Sequence, residues 1–224
     1  MVRIATWNVN SLRVRLPHVL QWLQTEKPDV LALQETKLQD ADFPEGAIRD
    51  AGYHVTYSGQ KTYNGVAILS KQAPGRIITR LPGYDDIQKR VLCAEIGGIT
   101  ILNLYAPNGS EVGSEKYLYK LDWFAHLHPF VQDILGRSGH TVVLGDLNIA
   151  PEDRDVHDPA AWAGAVLVSE PERAEFRKLM AAGLQDCFRL FTQEPGHYSW
   201  WDYRAASFRR NLGLRIDHIL ASEA

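Results

Sequence analysis

The sequence predicts an α/β protein in which two mixed β-sheets pack face to face and are covered by helices. An internal repeat is the first reason, because residues 2–33 and 99–144 each contain an apolar strand, an amphipathic helix and a second apolar strand. Short apolar segments separated by glycine and proline lie between the repeats, which is typical of antiparallel strands. A composition of 45% hydrophobic and 23% charged residues over 224 residues is ordinary for one globular domain and excludes disorder, collagen and coiled coil.

The first repeat begins almost at the N-terminus. Residues 2–8 form an apolar strand that ends at Asn8, and the next helix carries Pro17 in its first turn. The apolar residues of this helix recur at helical spacing: Leu16, Val19, Leu20 and Leu23. The run 29–33 is typical of a buried strand, and Glu35 follows its end.

The second repeat follows the same order. A strand is expected at 99–105, and a long helix begins at about Ser114 and is expected to kink or break at Pro129. A buried strand at 141–144 then leads into Gly145-Asp146-Leu147-Asn148. Each repeat therefore has a carboxylate just past its last apolar residue.

The other segments predict further elements. Four short strands are expected between the repeats, at 53–58, 66–70, 76–80 and 91–96. The capping box Ser169-Glu170-Pro171-Glu172 starts a helix that Gly183 ends. A last strand is expected at 215–220, whereas the stretch 153–168 carries no pattern that predicts a fold.

The residues that could do chemistry follow the strands. Ligand sites in α/β proteins lie at the carboxyl ends of strands. Two repeats that face each other would therefore bring five polar side chains to one rim: Asn8, Glu35, Tyr105, Asp146 and Asn148.

Asp146 and Asn148 lie two residues apart after a buried strand, so both point the same way. They could bind a divalent cation, or one could take a proton while the other hydrogen-bonds an oxyanion. An Asx turn that merely ends the strand explains the same two residues, and a lone glutamate such as Glu35 is usually a solvated loop residue. Because Mg²⁺ commonly uses only one or two protein carboxylates, Glu35, Asn8 and Asp146 together favour a metal site.

Aromatic residues supply a second signal. Tyr105 could position a phosphate or help to activate a water, and amphipathic packing explains it equally well. The run 198–204 is dense in aromatics and lies near several arginines. It could stack on a nucleobase or sugar, or it could be a strand that buries alternate aromatics.

Charge and cysteine usage narrow the class of protein. The 24 Lys and Arg residues against 27 Asp and Glu residues give a net charge of −3, so any nucleic-acid contact must come from a local basic patch. No apolar run is long enough to suggest a membrane span, and no signal peptide is visible. Cys93 and Cys187 are isolated, which favours buried thiols in a reducing cytoplasm.

Seven ordered segments together resemble the exonuclease III family of abasic-site endonucleases, within the endonuclease–exonuclease–phosphatase superfamily. They span most of the chain in the family's order and spacing: 6–13, 33–37, 64–67, 105–108, 145–148, 198–204 and 214–217. Phosphoinositide and sphingolipid phosphodiesterases of the superfamily would share Glu35 and the 145–148 motif. The segments 200–204 and 214–217 match the DNA-repair branch instead.

The resemblance implies a four-layered α/β sandwich, formed by a single domain over residues 1–224. It also implies Mg²⁺-dependent hydrolysis of phosphodiesters in duplex DNA, with Mn²⁺ able to substitute. The substrates implied are abasic sites cut on their 5′ side, blocked 3′ ends and 3′-terminal nucleotides. A cytoplasmic monomer that does not bind a membrane is expected.

The resemblance also implies roles for single residues. Glu35 resembles the principal metal ligand, and Asn8, Asp146 and Asn148 complete the implied metal site. Asp146 also resembles the residue that activates the attacking water, and Asn148 the one that stabilises the pentacovalent phosphate. Tyr105 resembles the tyrosine that contacts the scissile phosphate, and Asp217 the aspartate that orients a catalytic histidine.

Further positions match the family's DNA contacts. The backbone-contacting positions are Arg13, Lys37, Tyr63, Arg90 and Asn108, which would position the DNA without reading its sequence. The apolar pocket that receives the extrahelical abasic sugar is matched by Trp200, Leu214 and Ile216, and such a pocket favours a nucleotide without a base.

The family continues to a final strand with a Ser-Asp-His-x-Pro motif, whose histidine contacts the scissile phosphate. This sequence stops at Leu220-Ala221-Ser222-Glu223-Ala224, so we expect it to be shortened relative to its natural gene product. By strand alternation His218 should face away from Asp217 and cannot replace that histidine. A catalytically impaired module that binds abasic sites or DNA ends is the alternative function.

Overall fold

The structure, a computed structural model, describes residues 2–223. Its first sheet contains four strands, named in chain order: β1 (Ile4–Asn8), β2 (Val30–Gln34), β3 (His54–Ser58) and β4 (Val66–Ser70). Their spatial order is β1-β2-β4-β3. The β1–β2 pair is parallel and the other two pairs are antiparallel, so the sheet is mixed as expected.

The second sheet contains six strands, which are β5 (Ile77–Ile78), β6 (Val91–Ile96), β7 (Ile99–Tyr105), β8 (Thr141–Asp146), β9 (Leu184–Asp186) and β12 (Asp217–Ser222). Their spatial order is β5-β6-β7-β8-β12-β9, and only the β7–β8 pair is parallel. A separate two-stranded ribbon pairs β10 (Trp200–Trp201) with β11 (Gly213–Leu214).

Helices cover the outer face of each sheet, which confirms the four-layered sandwich. α1 (Leu12–Glu26) and α2 (Glu45–Asp50) pack on the first sheet, and α3 (Glu115–Arg137) and α5 (Glu170–Ala181) pack on the second. A one-turn helix, α4 (Pro159–Trp162), precedes α5. Within residues 2–223, no helix combines the length and the apolar character that crossing a membrane requires.

Strand alternation divides the apolar residues between the layers. On β2, Leu31 and Leu33 face α1 and α2, whereas Val30 and Ala32 face the second sheet. All five residues of β2 are buried because both faces of this strand are covered. The two inner faces form their own apolar cluster between the sheets.

Several boundaries differ from the sequence-based expectations. A kink or break was expected at Pro129, and the helix does not break there, because α3 runs through it. A proline removes one backbone hydrogen bond, and the buried residues on both sides keep the helix on the sheet. Pro17 lies inside α1 and not in its first turn, since the helix already begins at Leu12. The last strand begins two residues later than predicted, and the strand at 76–80 shrinks to two residues at an edge of the sheet.

A buried polar contact joins the two sheets. Asn103 on β7 is fully buried and donates to the carbonyl oxygens of Leu33 (3.0 Å) and Ala67 (2.9 Å) of the first sheet. The side-chain oxygen of Asn103 accepts a hydrogen bond from Gln34 Nε2 at 2.7 Å. A sliding of one sheet over the other would break all three bonds, so Asn103 fixes the relative position of the sheets.

We expect Asn103→Leu to lower the free energy of unfolding by about 2–4 kcal/mol, because the apolar side chain leaves buried polar groups without partners. Urea denaturation measures this change. Thr141→Val is the matched control, since the buried hydroxyl of Thr141 has no partner within residues 2–223 and its loss should change stability by less than about 0.5 kcal/mol. A near-neutral Asn103→Leu would show that the contact does not set the sheet packing.

Candidate active site

The two sheets end at a common rim, where a cleft of about 1050 Å³ opens. Asn8, Tyr105 and Asp146 are the last residues of β1, β7 and β8, and Asp217 is the first residue of the antiparallel β12. Glu35 directly follows β2. The cleft is lined by every side chain that the sequence placed at one rim, together with Asp217: Asn8, Glu35, Tyr105, Asp146, Asn148 and Asp217.

Asn8 joins the two sheets at the floor of the cleft. Its amide nitrogen donates to Glu35 Oε1 at 2.8 Å and to Asp146 Oδ2 at 2.8 Å. Its own oxygen accepts the backbone N–H of Asn10 at 3.0 Å. Asn8 therefore fixes the distance between two carboxylates that come from different sheets.

The backbone around Glu35 is held in an unusual conformation. Glu35 (φ 52°) and Lys37 (φ 53°) are left-handed, a conformation that costs energy for such side chains and clusters at functional sites. The first N–H groups of α1 hold this turn, because Ser11 N donates to Glu35 O (2.7 Å) and Leu12 N donates to Thr36 O (3.0 Å). The same bonds satisfy donors that a helix start leaves free.

The turn after β8 depends on Gly145. A Cβ at this position would lie 2.1 Å from the carbonyl oxygen of Leu104 on the neighbouring strand, so only glycine fits. Asp146 Oδ1 then accepts the backbone N–H of Asn148 at 2.9 Å, which is an Asx turn. The Asx-turn explanation of this motif is therefore confirmed, and the other oxygen of Asp146 accepts a hydrogen bond from Asn8 in the cleft.

Burial raises the pKa of Asp146 to about 6, and the nearby Glu35 adds to the shift, whereas the hydrogen bonds from Asn8 and Asn148 oppose it. Asp217 lies directly across from Asp146 on the paired strand. Burial, with a further contribution from Asp146, raises the pKa of Asp217 well above its usual range. A carboxylate with a pKa near neutrality is suited to accept a proton.

Tyr105 keeps its phenolic proton in this site. Burial raises the pKa of its phenol above the usual range, and the charges of Glu35 and Asp146 raise it further. The guanidinium of Arg90 lies 4.8 Å from the centre of the Tyr105 ring. A phenol that keeps its proton is suited to hydrogen-bond an anionic oxygen, not to take a proton from water.

One side of the cleft is apolar. We call this side the apolar wall; it consists of Trp162, Val166, Leu167, Trp200 and Ile216. Leu214 is fully buried, packs in the same cluster and does not line the cleft. Trp200 and Trp201 are both half-buried and both line the cleft, so neither is an ordinary core residue.

Of the predicted backbone-contacting side chains, Asn108 lines the cleft and the other four do not. Lys37 Nζ contacts Glu35 Oε2 at 2.9 Å. Arg13 and Tyr63 are exposed, and Arg90 is half-buried. Asn108 lines the cleft and donates to Asn148 Oδ1 at 3.1 Å.

Sequence reasoning missed several lining residues. Asn10 contacts Tyr203, with Nδ2 of the asparagine 2.9 Å from the phenol oxygen, and its place two residues after Asn8 was a usable signal. Ser199 accepts the backbone N–H groups of Ile216 and Asp217 at 3.0 Å each. Trp162 comes from the stretch 153–168, where the sequence carries no periodic pattern.

The donor set fits a hard cation. The side chain of Glu35 is 19% exposed, so its carboxylate is accessible from the cleft. Oxygen ligands suit Mg²⁺, which usually binds one or two carboxylates and several waters. Within residues 2–223, no group of three or more histidine, cysteine, aspartate or glutamate side chains is arranged to hold a metal ion.

Known proteins share this fold and sequence. A family model, described as the endonuclease/exonuclease/phosphatase family, matches residues 5–224. Exodeoxyribonuclease III of Haemophilus influenzae is 36% identical over 236 residues, which is 99% of this chain and 88% of that protein.

Solved structures agree with these findings. The 3′ phosphatase NExo from Neisseria, bound to a product DNA hairpin, has a TM-score of 0.98 at 48% identity over 99% of this chain and 87% of that one. An AP endonuclease from Archaeoglobus fulgidus has a TM-score of 0.94 at 40% identity over the same shares, 99% and 87%. The chain therefore belongs to the endonuclease/exonuclease/phosphatase family, and its kinship with exodeoxyribonuclease III and the AP endonucleases makes it a DNA-repair nuclease.

Proposed function

We propose that this enzyme hydrolyses the phosphodiester on the 5′ side of abasic sites in duplex DNA, with Mg²⁺ as cofactor and Mn²⁺ able to replace it. The same site would remove blocked 3′ ends and 3′-terminal nucleotides. The observation that carries the proposal is the Glu35–Asn8–Asp146 bridge at the floor of a cleft with one apolar side.

The side chains at the floor of the cleft would each have a separate role in phosphodiester hydrolysis. Glu35 would hold the cation, with Asn8, Asp146 and Asn148 beside it, and the cation would neutralise charge that develops on the phosphate. Asp146, whose pKa burial raises to about 6, would take the proton from the attacking water. Asn148 and the protonated Tyr105 would donate hydrogen bonds to the phosphate oxygens.

Asp217 has a different part in this site. Its high pKa means that it resists carrying a charge next to Asp146. It would orient a neighbouring group by hydrogen bonding, as its resemblance to the family's histidine-orienting aspartate implies. His218 takes no part, because its ring is buried on the opposite face of β12 and lies 2.9 Å (Nε2) from the carbonyl oxygen of Ile149.

The apolar wall favours a nucleotide that has lost its base. Rotating such a nucleotide out of the helix costs less than breaking a base pair, and Trp200 and Ile216 would pack against the sugar. Arg13, Lys37, Tyr63 and Arg90 would contact phosphates of the duplex. The net charge of the chain is −3, so positive charge for the DNA backbone must be local. Arg204 and Arg209 line the cleft and would supply such charge.

The direct test uses a duplex with a single tetrahydrofuran abasic analogue, which cannot undergo β-elimination. We expect nicking on the 5′ side with Mg²⁺ or Mn²⁺ and no nicking with chelator, and resolved end-labelled fragments show the position of the cut. A duplex with an ordinary nucleotide at the same place is the control. Tight binding without nicking would contradict the proposal and favour the alternative of a binding module.

Asp146→Asn should lower kcat by about 10²–10⁴-fold, because the amide cannot accept the proton. The wild-type rate should fall as the pH drops through about 6, since protonated Asp146 is inactive. A bound cation lowers this pKa, so the midpoint of the pH profile should move down as Mg²⁺ approaches saturation.

Asp133→Asn is the matched control for the Asp146 variant, because Asp133 is exposed on α3, pairs with Arg137 and does not line the cleft. Its kcat and its pH profile should equal those of the wild type. An Asp146→Asn enzyme that kept more than about a tenth of the wild-type kcat would contradict the assigned role, because the loss expected for a general base is larger.

A further inference from the structure

A lysine lies fully buried beneath the cleft. Lys120 on α3 and Glu172 on α5 are both 0% exposed and form an ion pair. The Lys120 ammonium also donates to the backbone carbonyl oxygens of Asn148 at 2.6 Å and of Asn108 at 3.2 Å. An ammonium has three N–H donors, so this environment uses all of them.

The two carbonyl groups belong to residues whose side chains meet in the cleft. Asn108 Nδ2 donates to Asn148 Oδ1 at 3.1 Å, and Asn148 Nδ2 donates to the carbonyl oxygen of Ala106 at 3.0 Å. Asn148 has a left-handed backbone (φ 51°), a conformation that surrounding contacts must maintain. Lys120 holds the backbone of Asn148 by one hydrogen bond and that of Asn108 by another, and both residues carry an amide side chain into the cleft.

Glu172 connects the Lys120–Glu172 ion pair to the apolar wall. Its Oε1 accepts the backbone N–H of Leu167 at 3.0 Å, and its Oε2 accepts the hydroxyl of Ser169 at 2.5 Å. Leu167 lines the cleft with a left-handed backbone (φ 75°). One ion pair therefore holds the loop after β7, the turn after β8 and the segment that forms the apolar wall.

Stability alone does not explain this pair. Taking two charges out of water is costly, and apolar residues of similar volume often serve a buried position equally well or better. Besides the ion pair itself, Lys120 Nζ donates to backbone carbonyl groups of the cleft, and the carboxylate of Glu172 accepts the backbone N–H groups of Leu167 and Ser169 and the Ser169 hydroxyl.

We propose that Lys120 and Glu172 are positioning residues: they set Asn108 and Asn148 against the scissile phosphate and Leu167 against the flipped-out sugar, without touching the DNA themselves. This inference rests on the proposed function of the cleft. It assigns no proton transfer and no metal contact to either residue.

The test is a double variant that combines Lys120→Met with Glu172→Gln, which removes both charges together while the new glutamine side chain keeps an acceptor for Leu167. We expect kcat on the abasic duplex to fall about 10–100-fold, as for other residues that orient a catalytic group. The Kd for the same duplex in chelator should stay within about threefold of the wild type, because neither side chain reaches the surface.

Leu127→Ala is the control for a purely structural effect. Leu127 is also fully buried on α3, in the core cluster of that layer, and its truncation should lower Tm while leaving kcat unchanged. A double variant that keeps wild-type kcat, or that loses no more kcat than Leu127→Ala at equal Tm loss, would overturn the proposal. If the double variant does not fold, Lys120→Arg displaces the donors while keeping the charge, and its kcat should fall with Kd unchanged.

A readout without DNA separates this inference from the proposed function. In the DNA-free protein, the NMR signals of the Asn108 and Asn148 side-chain amides should shift in the variant, and the Leu167 amide should exchange faster with solvent. If the wild type fails to cut DNA, the proposed function is wrong, and these amide signals still decide the positioning role. Unchanged amide signals in a folded variant would overturn it.

Discussion

The face-to-face packing of the two sheets is the constraint on which the rest of the structure depends. Their inner faces are apolar along most of their length, so they exclude water and fix the sandwich. At one end the same inner positions become polar, first at Gln34 and Asn103 and then at Asn8 and Asp146. The site therefore depends on the relative position of the two sheets. A sliding of one sheet over the other would break the hydrogen bonds that Asn103 and Asn8 make between them.

This packing has an electrostatic consequence. It places Asp146 and Asp217 close to Glu35 at a partly dry rim, where loss of water and the neighbouring negative charges raise the pKa values of Asp146 and Asp217. The amide of Asn8 and the backbone N–H of Asn148 offset only part of this cost. A divalent cation would offset more, so the raised pKa values and the proposed cation requirement have the same physical origin.

Structural features that depend on local sequence patterns were predictable from the sequence. The internal repeat and the alternating strands predicted the sheets and their helical layers, and the polar residues after the strand ends predicted the rim. Strand alternation predicted that His218 lies on the face of β12 away from Asp217. Features that depend on distant contacts were not predictable. The continuity of α3 through Pro129 depends on the packing of that helix on the sheet. The burial of Leu214 depends on a loop whose sequence has no periodic pattern. The proposed role of Lys120 depends on carbonyl groups that lie 12 and 28 residues away in the sequence.

The central claim is that the rim of the sandwich is a cation site built on Glu35. Anomalous diffraction from crystals soaked in Mn²⁺ tests it most directly, and soaked Glu35→Gln crystals provide the reference. The account predicts an anomalous peak in the cleft at about 2.1 Å from a carboxylate oxygen of Glu35, the distance expected for a small hard cation, and a loss of that peak in the variant. A cleft without a peak, or a peak that persists in Glu35→Gln, would contradict it.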